Sequence, residues 1–238
     1  MSIAVVIVAA GRGRRLGSDI PKQFIPLGTK TSLRRVCETF LSYRAVNWIV
    51  PVINADDQSL FHDALSGFDD LRLLPATCGG DTRARSVRNG LEKLASLSPQ
   101  KVLIHDAARP FLTHDVIDRV LTALDAEDGA CAALPVVDAL WKSESNNAQA
   151  QVPRDGLWRA QTPQGFDFRK ILAAHRDHDG LGGDDVAVAR EFGLRVRLVL
   201  GSPANYKITT AADLQRALTD ANLLDTGDQT TPEQVVRM

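Results

Sequence analysis

The sequence predicts a single α/β domain: a mostly parallel sheet with helices on both faces and a β-arm projecting from it. Three observations predict it. Short, continuously apolar runs alternate with amphipathic ones; a turn rich in glycine and arginine follows the first run directly; and one long polar segment interrupts the alternation late in the chain. Continuous apolar runs of strand length belong to strands covered on both faces, which is the condition of a parallel sheet. At 238 residues the chain can bury one substantial core. Its 44% hydrophobic and 24% charged residues are those of an ordinary globular protein.

The runs that read as strands are 3–8, 47–53, 71–74, 101–105, 130–136 and 195–200. Between them, residues 31–42 place Leu33, Val36, Cys37, Phe40 and Leu41 on one helical face, and residues 81–97 do the same with Val87, Leu91, Leu94 and Ala95. Residues 116–124, 168–175, 185–192 and 211–221 read as further helices, completing the alternation. The exception, 138–159, is polar, has Ser143-Glu144-Ser145-Asn146-Asn147 at its middle and carries Trp141 and Trp158 near its ends. That pattern suits a hairpin arm better than a surface loop. After Ala221 the chain turns polar, and 223–238 is expected to fray as a tail.

Lys and Arg number 28 against 29 Asp and Glu, so the net charge of −1 gives no global field for nucleic acid or a membrane surface; anion binding must be local. Three widely spaced cysteines fit neither a disulfide framework nor a metal knuckle and point to a reducing compartment. The apolar stretch 2–10 lacks a basic leader and runs into Gly11-Arg12-Gly13-Arg14-Arg15, so it does not read as an export signal. No stretch approaches the roughly 20 apolar residues of a membrane span. A cytoplasmic protein is expected.

The strongest chemical signal is Ala9-Ala10-Gly11-Arg12-Gly13-Arg14-Arg15-Leu16, directly after the first strand. Glycines let the backbone turn its N–H groups onto one anion, and Arg14 and Arg15 can add charge-assisted bonds to phosphate oxygens. Pro21-Lys22-Gln23 then supplies a lysine able to fold back over the same phosphates, so a triphosphate is the natural occupant. A dinucleotide turn is the bland alternative, but the glycines fall at 11, 13 and 17, with Leu16 where GxGxxG needs glycine.

Cys78-Gly79-Gly80-Asp81-Thr82-Arg83-Ala84-Arg85-Ser86-Val87 is a glycine turn feeding a helix. Asp81 could simply cap that helix, or the segment could form a polar rim for a base and sugar. His105-Asp106-Ala107-Ala108-Arg109-Pro110 follows a buried strand at the carboxyl edge, where open α/β sheets bind ligands. Later turns around Arg154–Gln164, Gly183-Asp184-Asp185 and Asn205-Tyr206-Lys207-Ile208-Thr209 carry further charged and amide groups. His175 and His178 read as a solvated helix end rather than a zinc site.

Taken together, Ala-Ala-Gly-x-Gly-x-Arg, Pro-Lys-Gln, Gly-Gly-x4-Arg-Ser-Val, His-Asp-Ala-Ala-Arg-Pro, Leu-Trp-x-Ala-Gln-Thr-Pro-Gln and Asn-x-Lys-Ile-Thr resemble the 2-C-methyl-D-erythritol 4-phosphate cytidylyltransferase family, in order over roughly residues 3–210. The resemblance implies a Rossmann-like sheet of the nucleotide-diphospho-sugar transferase type over residues 1–222. It also implies transfer of CMP from CTP to methylerythritol phosphate in the non-mevalonate route to isoprenoids, with Mg²⁺ held mainly through the CTP phosphates and no protein metal site. By resemblance Ala9, Ala10, Gly11, Gly13, Gly80, Asp81 and Ser86 surround the nucleotide. Arg15, Lys22, Arg154 and Lys207 are the catalytic cations. Asp106, Arg109, Arg154, Lys207 and Thr209 hold the sugar phosphate, with the 138–159 arm crossing to a second subunit of a homodimer.

Where the family commonly has Thr, this chain has Ala139 and Gly183; both positions are expected to touch the sugar-phosphate pocket. Some members carry a fused cyclodiphosphate synthase, but the residues after Ala221 are too few for one, so a single activity is expected. A cytidylyltransferase for another polyol phosphate such as ribitol 5-phosphate keeps the same loops, and a non-catalytic nucleotide-binding module keeps the same fold.

Overall fold

The computed structural model describes residues 1–13, 20–181 and 183–226. In chain order the elements are β1 (Ile3–Ala9), a 3-10 turn (Lys22–Phe24), β2 (Pro26–Leu27), β3 (Lys30–Thr31), α1 (Ser32–Ser42), β4 (Val46–Ile53), α2 (Gln58–Ala64), β5 (Thr77–Cys78), α3 (Arg83–Leu94), β6 (Lys101–Asp106), α4 (His114–Ala123) and β7 (Gly129–Pro135). There follow β8 (Leu140–Glu144), β9 (Asn147–Val152), β10 (Trp158–Asp167), α5 (Phe168–Asp177), α6 (Asp185–Glu191), β11 (Val196–Leu200) and α7 (Ala211–Thr226). Seven strands form the central sheet in the order β11-β7-β10-β6-β1-β4-β5. All neighbours pair in parallel except β10, which runs antiparallel to both β6 and β7.

The period of two along β1 divides the core. Ile3, Val5 and Ile7 face α1 and α4, where Leu33, Val36, Phe40, Ile117 and Val120 close one layer. Ala4 and Val6 face the opposite layer, with Val87, Leu91 and Leu94 of α3 and Ile171 and Leu172 of α5. Burial on both faces is why these strands are continuously apolar. Helices α1 and α3 are each entered through a side-chain cap: Thr31 Oγ1 accepts from Arg34 N at 3.2 Å, and Thr82 Oγ1 from Arg85 N at 3.1 Å. Thr82, not Asp81, therefore caps α3, leaving Asp81 to pair with Arg85 at 2.7 Å.

From β1 the chain crosses to β4 and β5 on one side and returns to β6 on the other. The carboxyl ends of β1 and β6 thus flank a reversal of strand order, the place where open α/β sheets leave a crevice. The arm is present as the antiparallel pair β8 and β9, joined through Ser145 and Asn146 at φ 48° and 65°, the type I′ geometry of a two-residue hairpin.

Several elements differ from the sequence expectation, which also lacked β2, β3, α2 and β5. Residues 71–74 make only a single bridge, Leu73 to Ile49, and Leu71 is exposed. The pattern gives no hint of β10, because Gln161, Thr162, Pro163 and Gln164 break its apolar run; Gln161, Thr162 and Gln164 are buried against the site instead of facing solvent. α7 runs past Ala221 to Thr226. Asp225 accepts from Thr29 N (3.0 Å), Thr29 Oγ1 (2.8 Å) and Arg35 Nη2 (2.7 Å), so the helix is clasped to the β2–β3 turn beyond the boundary expected at residue 222.

Candidate active site

At the β1/β6 crevice lies a cleft of about 510 Å³. Ala9, Ala10, Gly11, Gly13, Gly80, Asp81 and Ser86 line it, as do Lys22, Asp106, Lys207 and Thr209. Residues from separate stretches of sequence therefore meet around one space. Gly13 sits at φ 60°, the left-handed region open to glycine, and the methylenes of Lys22 run alongside it. Lys22 Nζ donates to the Ile208 carbonyl at 2.8 Å, joining the glycine loop to the segment that carries Lys207 and Thr209.

The glycine-loop end of the cleft is held by Ser86, which the sequence singled out, and by Gln23, Arg12 and Gly79, whose role it did not reveal. Gln23 is buried and donates through Nε2 to the Ala9 carbonyl at 2.5 Å and that of Gly11 at 3.2 Å, fixing the loop from behind. Arg12 forks onto Asp56 (2.6 Å) and Asp57 (2.9 Å) and anchors the loop to the end of β4. Ser86 Oγ accepts from Gly80 N at 3.1 Å and donates to the Thr82 carbonyl at 2.8 Å. At Gly79 an added Cβ would lie 2.4 Å from Ala10 Cβ and 2.9 Å from Ser86 Oγ, so only glycine lets the two loops come this close.

At the other end of the cleft Asp106 Oδ2 accepts from Lys207 Nζ at 2.7 Å, and Arg83 Nε lies 3.4 Å from Oδ1. Burial opposes ionisation of Asp106, but Arg83, Lys207 and Arg109 outweigh it and hold the carboxyl well below the usual carboxylate range. The neighbouring His105 is fully buried, and that burial pushes its pKa down to about 4. Thr162 Oγ1 accepts from Asp106 N at 3.1 Å and lies 3.0 Å from His105 Nδ1, while His105 Nε2 lies 3.1 Å from the Arg109 carbonyl. A neutral imidazole donating from Nε2 and accepting at Nδ1 satisfies all three and locks the β6 turn.

Several expected residues lie elsewhere. Arg109 does not line the cleft; from behind it the guanidinium donates to the Asn205 carbonyl at 2.8 Å while Nε lies 3.9 Å from Asp106 Oδ2. Arg154 is on the arm, bonded to the Val137 carbonyl, and borders a separate depression with Ala139. Gly183 does not line the cleft either: a Cβ there would sit 2.6 Å from Ala187 Cβ at the entry to α6. Arg15, with Arg14, lies outside the described residues. His175 is not a solvated helix end but is buried, with Nε2 3.3 Å from Asp185 Oδ1.

A larger depression, about 870 Å³, opens at the opposite end of the sheet. Its lysines are spent on its own carboxylates, Lys101 on Asp125 and Lys170 on Asp128, so it presents no convergent set to a ligand. The cleft at the crevice is the candidate site.

Residues 3–221 match the family described as IspD, 2-C-methyl-D-erythritol 4-phosphate cytidylyltransferase. The chain belongs to that family. A 2-C-methyl-D-erythritol 4-phosphate cytidylyltransferase of Cereibacter sphaeroides is 44% identical over 217 residues, covering 91% of this chain and 96% of the relative. A bifunctional enzyme IspD/IspF of Paramagnetospirillum magneticum is 47% identical over 216 residues, 90% of this chain; the chain spans 55% of that relative's length, as it does for other bifunctional relatives. The crystal structure of the cytidylyltransferase from Thermus thermophilus superposes with a TM-score of 0.73 at 32% identity, covering 93% of this chain and all of the other.

Proposed function

We propose that this member of the IspD family transfers CMP from CTP to 2-C-methyl-D-erythritol 4-phosphate, releasing pyrophosphate, in isoprenoid precursor synthesis. The observation that carries the proposal is the single cleft in which a glycine loop and Lys22 face Asp106, Lys207 and Thr209. One end suits a nucleoside triphosphate; the other suits a phosphorylated polyol.

The acceptor's nucleophile is a phosphate oxygen already ionised at neutral pH, so no general base is required. The barrier lies in joining two polyanions and in the added charge around the α-phosphorus during in-line attack, which fixed cations relieve. In this reading the loop N–H groups and Lys22 hold the triphosphate, Arg15 assists them, and Lys207 faces the incoming phosphate. Asp106 and Thr209 orient the polyol. Arg109, set behind the cleft, supports Asp106 rather than touching substrate. The carboxylates reaching the cleft are both committed, Asp81 to Arg85 and Asp106 to Lys207 and Arg83. That donor set suits Mg²⁺ carried on the CTP phosphates rather than in a protein cage. Bound there, the ion neutralises phosphate charge and orients the leaving pyrophosphate.

The arm suits a second copy of the chain. Trp141 is 58% and Val137 66% exposed, apolar side chains left open to a partner, and Arg154 bonds the Val137 carbonyl. In a homodimer it would bring Arg154 toward the partner's cleft. No helix among the described residues is long and apolar enough to cross a membrane. The three cysteines are free, as a reducing cytoplasm would keep them.

Pyrophosphate release measured with CTP plus methylerythritol phosphate, and separately with CTP plus ribitol 5-phosphate, tests the assignment. Release with methylerythritol phosphate is expected. Release only with ribitol 5-phosphate would move the acceptor, and no release with either would leave a nucleotide-binding module.

A further inference from the structure

Behind the cleft, charges alternate along a line that leaves the substrate space altogether. Lys207 Nζ lies 2.7 Å from Asp106 Oδ2, Arg83 Nε lies 3.4 Å from Asp106 Oδ1, Arg83 Nη2 donates to Asp185 Oδ2 at 2.8 Å, and Asp185 Oδ1 lies 3.3 Å from His175 Nε2. Asp185 is wholly buried and His175 nearly so, and neither borders the cleft. A buried ion pair is a poor source of stability, because the cost of desolvation rivals the attraction; well-packed apolar residues often do as well. What such a pair can supply is direction.

Arg83 is suited to that use. A guanidinium is a planar fork, so holding one edge fixes the aim of the other. Asp185 holds the Nη2 side, and the Nε side is thereby turned to Asp106. Asp185 is itself set from both sides: His175 of α5 faces its second oxygen, and Gln164 of β10 accepts from Val186 N at 3.2 Å while donating to Asp184 at 2.7 Å, pinning the start of α6. Burial opposes the charge on Asp185, but Arg83 and His175 keep its carboxyl below the ordinary range.

We propose that Asp185 and His175 are positioning residues for the acceptor: they aim Arg83 so that Arg83 and Lys207 together fix Asp106 for the hydroxyl groups of the polyol phosphate. The proposal rests on the reading of Asp106 as an acceptor-site residue. Without Asp185, Arg83 keeps its charge but loses its second carboxylate, turns fully onto Asp106 and displaces Lys207. The nucleotide end, held by Gln23, Ser86 and Gly80, does not depend on this line.

The experiment is steady-state kinetics of Asp185→Asn, His175→Phe and His175→Gln, each substrate varied in turn, with melting temperatures recorded alongside. Asp185→Asn should raise the KM for methylerythritol phosphate by about tenfold or more while the KM for CTP stays within about twofold. His175→Phe should move the same constant in the same direction. His175→Gln, which keeps a polar group within reach of Asp185 where phenylalanine has none, should return most of it. If Asp185→Asn does not fold, the contrast between the two His175 variants decides. Lowered melting temperatures with an unchanged acceptor KM, in enzyme whose wild type turns over, would overturn the positioning role alone. A wild type that accepts no polyol phosphate would overturn this proposal together with the functional reading beneath it.

Discussion

Removing the charge of Lys22 should slow the transfer far more than it weakens the protein. Toward the described residues the side chain contributes two separable things. Its methylenes run beside Gly13, at 3.4–3.5 Å from where a Cβ on that glycine would be, and its Nζ donates to the Ile208 carbonyl at 2.8 Å. Losing that one hydrogen bond costs about 1 kcal/mol of stability. Losing a preorganised cation aimed at transition-state charge costs about 3–4 kcal/mol of barrier, or roughly 10²- to 10³-fold in kcat. Lys22→Met keeps the stem and removes the charge, whereas Lys22→Ala removes both. The two variants should therefore share the loss of kcat, with Lys22→Ala melting lower. Pyrophosphate release at saturating CTP and acceptor, with thermal unfolding on the same samples, reads both quantities. A kcat for Lys22→Met within about threefold of wild type would refute the reasoning, because no cation effect of this kind is so small.

The Asp225 clasp gives a pH signature: burial opposes its charge, but Thr29 and Arg35 bring the carboxyl pKa from 3.8 down to about 2, so its contribution is complete above the unfolded value and is lost as pH falls from about 4 to about 2. The melting-temperature gap between wild type and Asp225→Asn should accordingly close across that interval, and a gap independent of pH would remove the clasp. Gly79→Ala places a methyl 2.4 Å from Ala10 Cβ, so it should raise the KM for CTP by about tenfold or more and also lower the melting temperature, overpacking costing about 1–3 kcal/mol, as titration with CTP and thermal unfolding can check. Trp141→Asp puts a charge on the exposed face of the arm and should abolish the proposed dimer, which sedimentation of wild type and variant reads; a wild type already monomeric would show that Arg154 serves only its own chain.

What the sequence made legible was whatever a local pattern encodes. Ile3–Ala9 is apolar because both faces are covered, and Gly11 and Gly13 stand at the strand's carboxyl end, lining the cleft. The lining of the cleft was legible wherever its residues stand at a strand end, as Asp106 does at the end of β6. Pairings between distant segments were not. Asp185 reads as one of two acids before a helix until α6 is folded against Arg83, 102 residues away. His175 shows no sign of burial until α5 meets α6. β10 hides behind the polar side chains it turns inward, and α7 reads too short because its final turn is held by Arg35, 190 residues upstream, rather than by its own composition. Arg109 reads forward into the cleft because it neighbours Asp106 in sequence; its side chain lies behind Asp106 and bonds the Asn205 carbonyl.

Diffraction from crystals soaked with CTP and magnesium tests the central claim most directly. The account predicts the triphosphate against the backbone of Gly11–Gly13 with Lys22 at its phosphates, and the cytidine between Ala10 and the Gly80–Ser86 turn. Nucleotide bound instead among Lys101, Asp128 and Lys170 at the opposite end of the sheet, with the glycine loop untouched, would contradict it.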